Sequence, residues 1–246
     1  MALLQLEGIS KRFGRVVVAD GVSFQLEQGT SLGVIGPNGA GKSSMFGLIS
    51  GDIKPDAGAL SFADQSLHGV KASTRCRMGI GRTYQIPQPF EHLNVFENAL
   101  LAAQQGARTR GEESYDLAYS ALQRTGLAEL ANRPAGSLAL LHRKRLELAR
   151  ALATRPRLLL LDEIAGGLTD PEVHELTDVI KQLQNDGISI IWIEHVVRAL
   201  LSTVTRLLCL ANGTVIADGD PHEVLASEEV RAVYLGGRII NEAPLV

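Results

Sequence analysis

The stretch from Ser31 to Ser44 restricts the fold of this chain more tightly than any other. Leu32 to Ile35 are an apolar run of strand length, and the segment from Gly41 to Ile49 reads as a helix. Between them lie Gly36, Pro37, Asn38, Gly39, Ala40, Gly41, Lys42 and Ser43, followed by Ser44. A Gly-x-x-x-x-Gly-Lys-Ser spacing between strand and helix is that of a phosphate-binding loop. Its glycines let the backbone turn N–H groups inward onto phosphate oxygens. The helix behind them aims the positive end of its dipole at the same anion. Lys42 is placed to reach the β- and γ-phosphates, and the Ser43 hydroxyl to ligate Mg²⁺. Nucleotide binding is therefore the first expectation.

At 246 residues the chain can bury one substantial core and carry a smaller lobe. A net charge of −3 without a Lys/Arg tract argues against nucleic acid or a lipid surface as a direct partner. Cys76 and Cys209 have no metal-type spacing, which favours reduced thiols in a cytosolic chain over a disulfide. The first residues have no basic segment with an apolar core behind it, and no run reaches the roughly eighteen apolar residues of a membrane span. Any membrane link is expected to come through a partner.

Alternation in Leu4-Gln5-Leu6-Glu7 and in Val22-Ser23-Phe24-Gln25-Leu26 predicts antiparallel strands buried on one face. Phe13 lies in a charged turn and reads either as local packing or as a ring stacked on a nucleotide base, with Val18 beside it. Further strands are expected at Leu60 to Phe62 and Gly79 to Tyr84. The segment Gln85-Ile86-Pro87-Gln88-Pro89-Phe90 suits neither helix nor central strand and reads as an apolar interface loop. From about 93 to 154 the periodicity is helical, with Leu93, Phe96, Leu100 and Leu101 on one face, Leu117, Ala121, Leu122 and Leu127 on another, and a polar loop over Gln104 to Glu113.

Four leucines, Leu158 to Leu161, then Asp162 and Glu163, predict a parallel strand buried on both faces with two acids at its C-terminal edge. Asp170-Pro171 opens a helix with Asp170 as its cap and Pro171 first inside it. Ile188 to Ile193 repeats the buried-strand pattern and ends at Glu194-His195. Strands near Leu207 to Leu210 and Thr214 to Ala217 follow, then a helix opened by Asp220. The chain is expected to be α/β: a P-loop core with an antiparallel β subdomain (about 1–92 and 155–246) and an inserted α-helical subdomain (about 93–154).

Asp162 is the expected Mg²⁺ partner, reached through water with Ser43 on the other side of the ion, and Glu163 is a candidate base to polarise an attacking water. His195, at the same sheet edge, is placed to hold the γ-phosphate and that water in line. Phosphoryl transfer rests on charge neutralisation and positioning, which Lys42, Mg²⁺, Gln85, Glu163 and His195 together supply.

In this order the residues resemble the nucleotide-binding subunits of ABC transporters over nearly the whole chain, with a RecA-like core. Phe13 is similar to the A-loop aromatic, Gly36 to Ser43 to Walker A, Gln85 to the Q-loop, and Leu158 to Asp162 to Walker B. Glu163 matches the catalytic glutamate, Thr169-Asp170 the D-loop and His195 the switch histidine. Gly81-Arg82-Thr83-Tyr84-Gln85, Leu146 to Leu152, Ile193-Glu194-His195 and Tyr234-Leu235-Gly236-Gly237 resemble the branched-chain amino acid uptake group. The resemblance implies an ATPase motor with ATP and Mg²⁺ as cofactors and Gln85 also serving the metal. Two subunits would sandwich two ATP molecules and drive separate membrane permease subunits fed by an extracytoplasmic binding protein, the assembly sitting peripherally on the inner membrane face. The signature stretch departs from the family pattern: Leu138, Ala139, Leu140, Leu141 and His142 stand where Leu-Ser-Gly-Gly-Gln is usual. Ala139 lacks the hydroxyl, and Leu141 in place of glycine is expected to hinder approach to a γ-phosphate. A heterodimer with a different ATPase subunit is therefore favoured over a homodimer. A non-transport ABC ATPase and a slow-turnover ATP switch are the alternatives.

Overall fold

The computed structural model describes residues 2–234. The chain opens with a long hairpin, β1 (Ala2–Phe13) and β2 (Val16–Glu27), followed by β3 (Ser31–Ile35) and α1 (Lys42–Ser50). Next come β4 (Ala57–Phe62), β5 (Gln65–Ser66), α2 (Ala72–Arg77) and β6 (Ile80–Arg82). Three helices, α3 (Val95–Gly106), α4 (Glu112–Arg124) and α5 (Leu140–Leu152), lead into β7 (Leu158–Asp162) and α6 (Asp170–Asn185). The remainder is β8 (Ser189–Ile193), α7 (Val197–Leu201), β9 (Arg206–Ala211), β10 (Thr214–Gly219), α8 (Pro221–Ala226) and α9 (Glu228–Tyr234). The segment Leu235-Gly236-Gly237 of the sequence resemblance lies outside the described residues.

Two sheets organise these elements. One runs β2-β1-β4-β5, with antiparallel pairing throughout. The other runs β10-β9-β3-β8-β7-β6, parallel except for the β9–β10 hairpin. Strand alternation divides the core in two. Val34, Leu158, Leu160, Ile191, Ile193 and Leu208 pack with α1 and the inner face of the antiparallel sheet. Leu159, Leu161, Ile190, Trp192 and Leu207 pack on the opposite face with side chains from α3 to α6. Each such Leu or Ile contributes about 1.5–3 kcal/mol when fully buried, which is why near-continuous apolar runs form the central strands.

Local details depart from expectation in physically simple ways. The buried stripe of α3 is Val95, Asn98, Ala99 and Ala103, while Phe96, Leu100 and Leu101 are only half-buried. Small side chains let the helix approach closely, so the leucines flank the contact instead of filling it. The polar loop is shorter than expected, because α3 continues to Gly106 and α4 begins at Glu112. The strand expected over Gly79 to Tyr84 pairs only from Ile80 to Arg82. Thr169, not Asp170, caps α6: the Glu172 carboxylate accepts from the Thr169 N–H at 2.8 Å and from its hydroxyl at 2.7 Å. A threonine paired with a glutamate three residues on is a capping box, which satisfies more of the helix end than Asp170 alone. Asp220 caps α8 as expected, accepting from the His222 N–H at 2.8 Å.

Both cysteines are free thiols. Cys209 is buried in β9, and burial pushes its thiol up to about 11 against the opposing pull of Lys42. Burial also raises Cys76. At pH 8 only about one Cys209 in a thousand is thiolate. Iodoacetamide should therefore label Cys209 of the native chain no faster than the chain unfolds. Rapid modification of both thiols, followed by mass spectrometry, would contradict this placement.

Candidate functional site

The parallel order β3-β8-β7-β6 sets four strand ends in a row. The loop after β3 is the Gly36–Ser43 segment, β8 ends at Ile193 before Glu194 and His195, β7 ends at Asp162, and β6 leads to Gln85. They meet at a cavity of about 670 Å³ lined by Asn38 to Ser44 together with Gln85, Glu163 and His195.

Glycine is required in this loop by close approach. A Cβ on Gly36 would lie 2.1 Å from the Leu210 carbonyl oxygen, and one on Gly41 2.1 Å from that of Val18. Gly41 also has φ +102 and caps α1 without a side-chain hydrogen bond. The first turn of α1 contains no acidic residue, so its backbone N–H groups face the cavity without a competing carboxylate. Lys42 is buried, and its ammonium donates to the carbonyls of Gly36 at 2.8 Å and Pro37 at 3.0 Å. Burial lowers its pKa, opposed by Glu163 and Asp162.

The acids are held differently. Asp162 is buried; it accepts from the Ser43 hydroxyl at 3.4 Å and from the Arg82 guanidinium at 3.2 Å. Arg82 also donates to Asp52 at 3.1 Å and lies over the Tyr84 ring. Glu163 is more open, and its carboxylate accepts from the Gln85 side-chain amide and contacts His195 Nε2 at 2.8 Å. The Glu163 backbone has φ +46, a left-handed conformation unusual outside glycine. Glu194 is buried behind it, accepting from the N–H groups of Ala165 at 2.7 Å and His195 at 3.1 Å. These bonds fix the backbone on either side of the Glu163–His195 contact.

Gln85, Glu163 and His195 are thus brought to the phosphate loop. Phe13 is not: it is 50% exposed at the end of β1 with the Lys11 ammonium 5.2 Å from its ring, and Val16 and Val18 line the cavity instead. Asp170 is exposed on the first turn of α6, away from this lining. Leu138 to His142 also lie outside it. The structure turns the Leu141 side chain inward. Because α5 begins at Leu140, Leu141 falls on the inward stripe with Lys144 and Leu148 and is only 7% exposed. Leu140, 42% exposed, is the leucine that projects. The Arg143 guanidinium ties the preceding loop, donating to Leu138 and Gly136 carbonyls at 2.8 and 2.7 Å.

Two further residues belong to this site and were not anticipated. Arg82 contacts Asp162 directly, and Lys144, from α5, donates to the carbonyls of Gln85 and Glu163. The signals available for them were a cation closing an apolar strand and a lysine inside an apolar helical stripe.

Burial raises the Asp162 carboxyl above its ordinary value of 3.8, against the pull of Arg82. At low pH the group is neutral in both folded and unfolded chains. As pH climbs through the unfolded and then the folded value, ionisation increasingly disfavours the fold. Without nucleotide, Asp162→Asn should therefore melt at or above the parent temperature at pH 7, with the difference closing below about pH 4. Thermal unfolding across that range checks this, and a lower midpoint at pH 7 would contradict it.

Comparison with known proteins agrees with this geometry. An ABC transporter family model matches residues 19–166, and one for branched-chain amino acid ATP-binding cassette transporters matches 214–239. The chain is 35% identical to the high-affinity branched-chain amino acid transport ATP-binding protein LivG of Escherichia coli, across 95% of this chain and 98% of that one. It is 32% identical to BraF of Pseudomonas aeruginosa, which bears the same description, with the same coverage. A nucleotide-free ATP-binding cassette from an ABC transporter superposes with a TM-score of 0.87 at 30% identity, covering 95% of this chain and 99% of the other. The ADP conformation of such a cassette gives 0.88 at 31%, covering 96% and 99%. Nucleotide-loop geometry, sheet order and full-length similarity agree: the chain belongs to the ABC transporter family and is one of its ATP-binding cassettes.

Proposed function

We propose that this chain is the ATP-hydrolysing subunit of an importer for branched-chain or related amino acids or small polar solutes, acting on separate permease subunits. The observation that carries the reading is the convergence of Gln85, Glu163 and His195 on the phosphate loop in one cavity. In it, Glu163 is the base that takes a proton from the attacking water, His195 holds that carboxylate and the γ-phosphate in register, and Lys42 turns from the loop carbonyls to the β- and γ-phosphates. The Ser43 hydroxyl and Asp162 carboxylate, 3.4 Å apart, are hard oxygen donors suited to Mg²⁺ with phosphate and water completing its shell. That ion would neutralise charge on the transferring phosphoryl group.

Two features support a permease on the far side of Gln85. Ile86, at 70% exposure, Tyr84 and Phe90 present apolar surface on a loop. Beside them a groove is lined by Asp52, Cys76, Tyr84, Ala102, Glu147 and Arg150, where the 93–154 helical lobe meets the core. The loop is tied to that lobe: Asn98 exchanges hydrogen bonds with the Phe90 backbone, and Arg150 donates to the Gln88 carbonyl at 2.8 Å. Motion of one element is thereby felt by the other. Among the described residues no helix is long and apolar enough to cross a membrane, in keeping with peripheral attachment through such subunits.

A different ATPase subunit remains the favoured partner. Ala139 offers no hydroxyl, and Leu140 presents an apolar side chain at the start of α5, where a γ-phosphate contact across a dimer calls for a hydroxyl and bare backbone. This chain's own phosphate loop would serve the competent site. The solute-binding protein would stand outside the membrane and touch only the permease.

Glu163→Gln should bind MgATP with affinity within a few-fold of the parent while hydrolysis falls by about 10²–10⁴. Parental turnover in that variant would remove Glu163 from the mechanism. The solution mass of the same variant, with and without MgATP, tests the partnership. A monomer that still binds ATP is expected, and an ATP-driven dimer would favour a symmetric motor instead.

A further inference from the structure

Lys144 lies on the inward stripe of α5 and is only 3% exposed. Among the described residues it forms no ion pair. Its ammonium donates instead to two main-chain carbonyls, that of Gln85 at 2.8 Å and that of Glu163 at 3.2 Å. Burial lowers its pKa, with Glu194, Glu163, Asp162 and Glu147 opposing from a distance. A buried ammonium with no contacting carboxylate is an expensive way to fill space, and a methionine of similar length would pack the same position.

What the ammonium holds gives it a purpose. The side chains of Gln85 and Glu163 are hydrogen-bonded to each other, and Lys144 joins their backbones. Glu163 is held at φ +46, a conformation that persists in a non-glycine residue only when its surroundings over-determine it. Its N–H donates to the Ile193 carbonyl at 2.9 Å, and its carbonyl accepts from the Gly166 N–H at 3.2 Å as well as from Lys144. The Ile193 and Gly166 contacts come from the adjacent strand and from the turn itself. Lys144 alone reaches this peptide from α5, the helix whose first residues are Leu140, Leu141 and His142.

We propose that Lys144 is a positioning residue: its ammonium clamps the Gln85 and Glu163 main chains together, so that the helix carrying the signature stretch aims the Glu163 carboxylate. The inference rests on the reading of Glu163 as the base. It makes the aim of that base depend on where α5 sits, giving the helical lobe a direct mechanical hold on hydrolysis.

The test compares Lys144→Met, which keeps the stem and removes the donors, with Lys144→Arg, which keeps charge and donors. Glu163→Gln serves as reference. The whole chain is labelled with ¹³C-histidine; there are six histidines, and the His195 signal is assigned by its loss in His195→Asn. Lys144→Met should melt at or above the parent temperature and bind MgATP within about three-fold of it by calorimetry. Its His195 signal should move toward the position seen in Glu163→Gln while the other five stay, with kcat at least ten-fold down and KM little changed. Lys144→Arg should restore part of both. If the Met variant does not fold, Lys144→Gln carries the same readouts.

A folded neutral variant with the parental His195 signal and kcat within two-fold of the parent would overturn the inference. If Glu163→Gln is nonetheless inactive, the reading of Glu163 stands and only the clamp is lost. If Glu163→Gln itself leaves the His195 signal and turnover unchanged, both fall together.

Discussion

Parallel hydrogen bonding among β3, β8, β7 and β6 is the constraint on which the site depends. Parallel strands finish at the same edge, so four segments far apart in sequence deliver their following residues to one place. The register is tight: Val34 lies opposite Ile193, which lies opposite Asp162. A strand shifted by one residue would also turn its apolar set from one core to the other. Chemistry at the edge and packing in the interior are thus enforced by the same ladder.

Charge is the complementary constraint. Lys42, Lys144, Asp162 and Glu194 are all buried, and each is satisfied chiefly by backbone groups or a single opposite partner. Burial moves every one of them toward its neutral form, acids upward and lysines downward. Such a cluster opposes stability in the resting protein. Its presence around a phosphate loop is understandable for a site that must neutralise a polyanion without waiting for solvent to rearrange.

Much of this was legible from the chain. Four leucines before two acids specify a doubly covered strand, and glycines at 36 and 41 specify a loop with no room for a Cβ at those two positions. Those features are local, and local features carry their own geometry. Other parts depended on facts no window of sequence contains. The inward face of α3 is Val95, Asn98, Ala99 and Ala103, with no leucine, because the helix is drawn close to its neighbours, which hydrophobic periodicity weighted toward leucine does not anticipate. Whether Leu140 or Leu141 projects depends on the residue at which α5 begins. Arg82 and Lys144 look like ordinary surface cations until tertiary packing closes around them, since a charge acquires a partner only across elements distant in sequence. Phe13 is half exposed at the end of the hairpin, paired across it with Val16, which lines the cavity.

The resting position of Lys42 has a consequence for what the loop accepts. With its ammonium donating to the Gly36 and Pro37 carbonyls, the lysine has hydrogen-bonding partners within its own loop. Binding is then an exchange of partners, and the lysine leaves its carbonyls only for an oxygen that can reach it. Each carbonyl the ammonium gives up has to be matched by an oxygen that accepts at least as well, so the loop's own backbone sets the standard an incoming anion must meet.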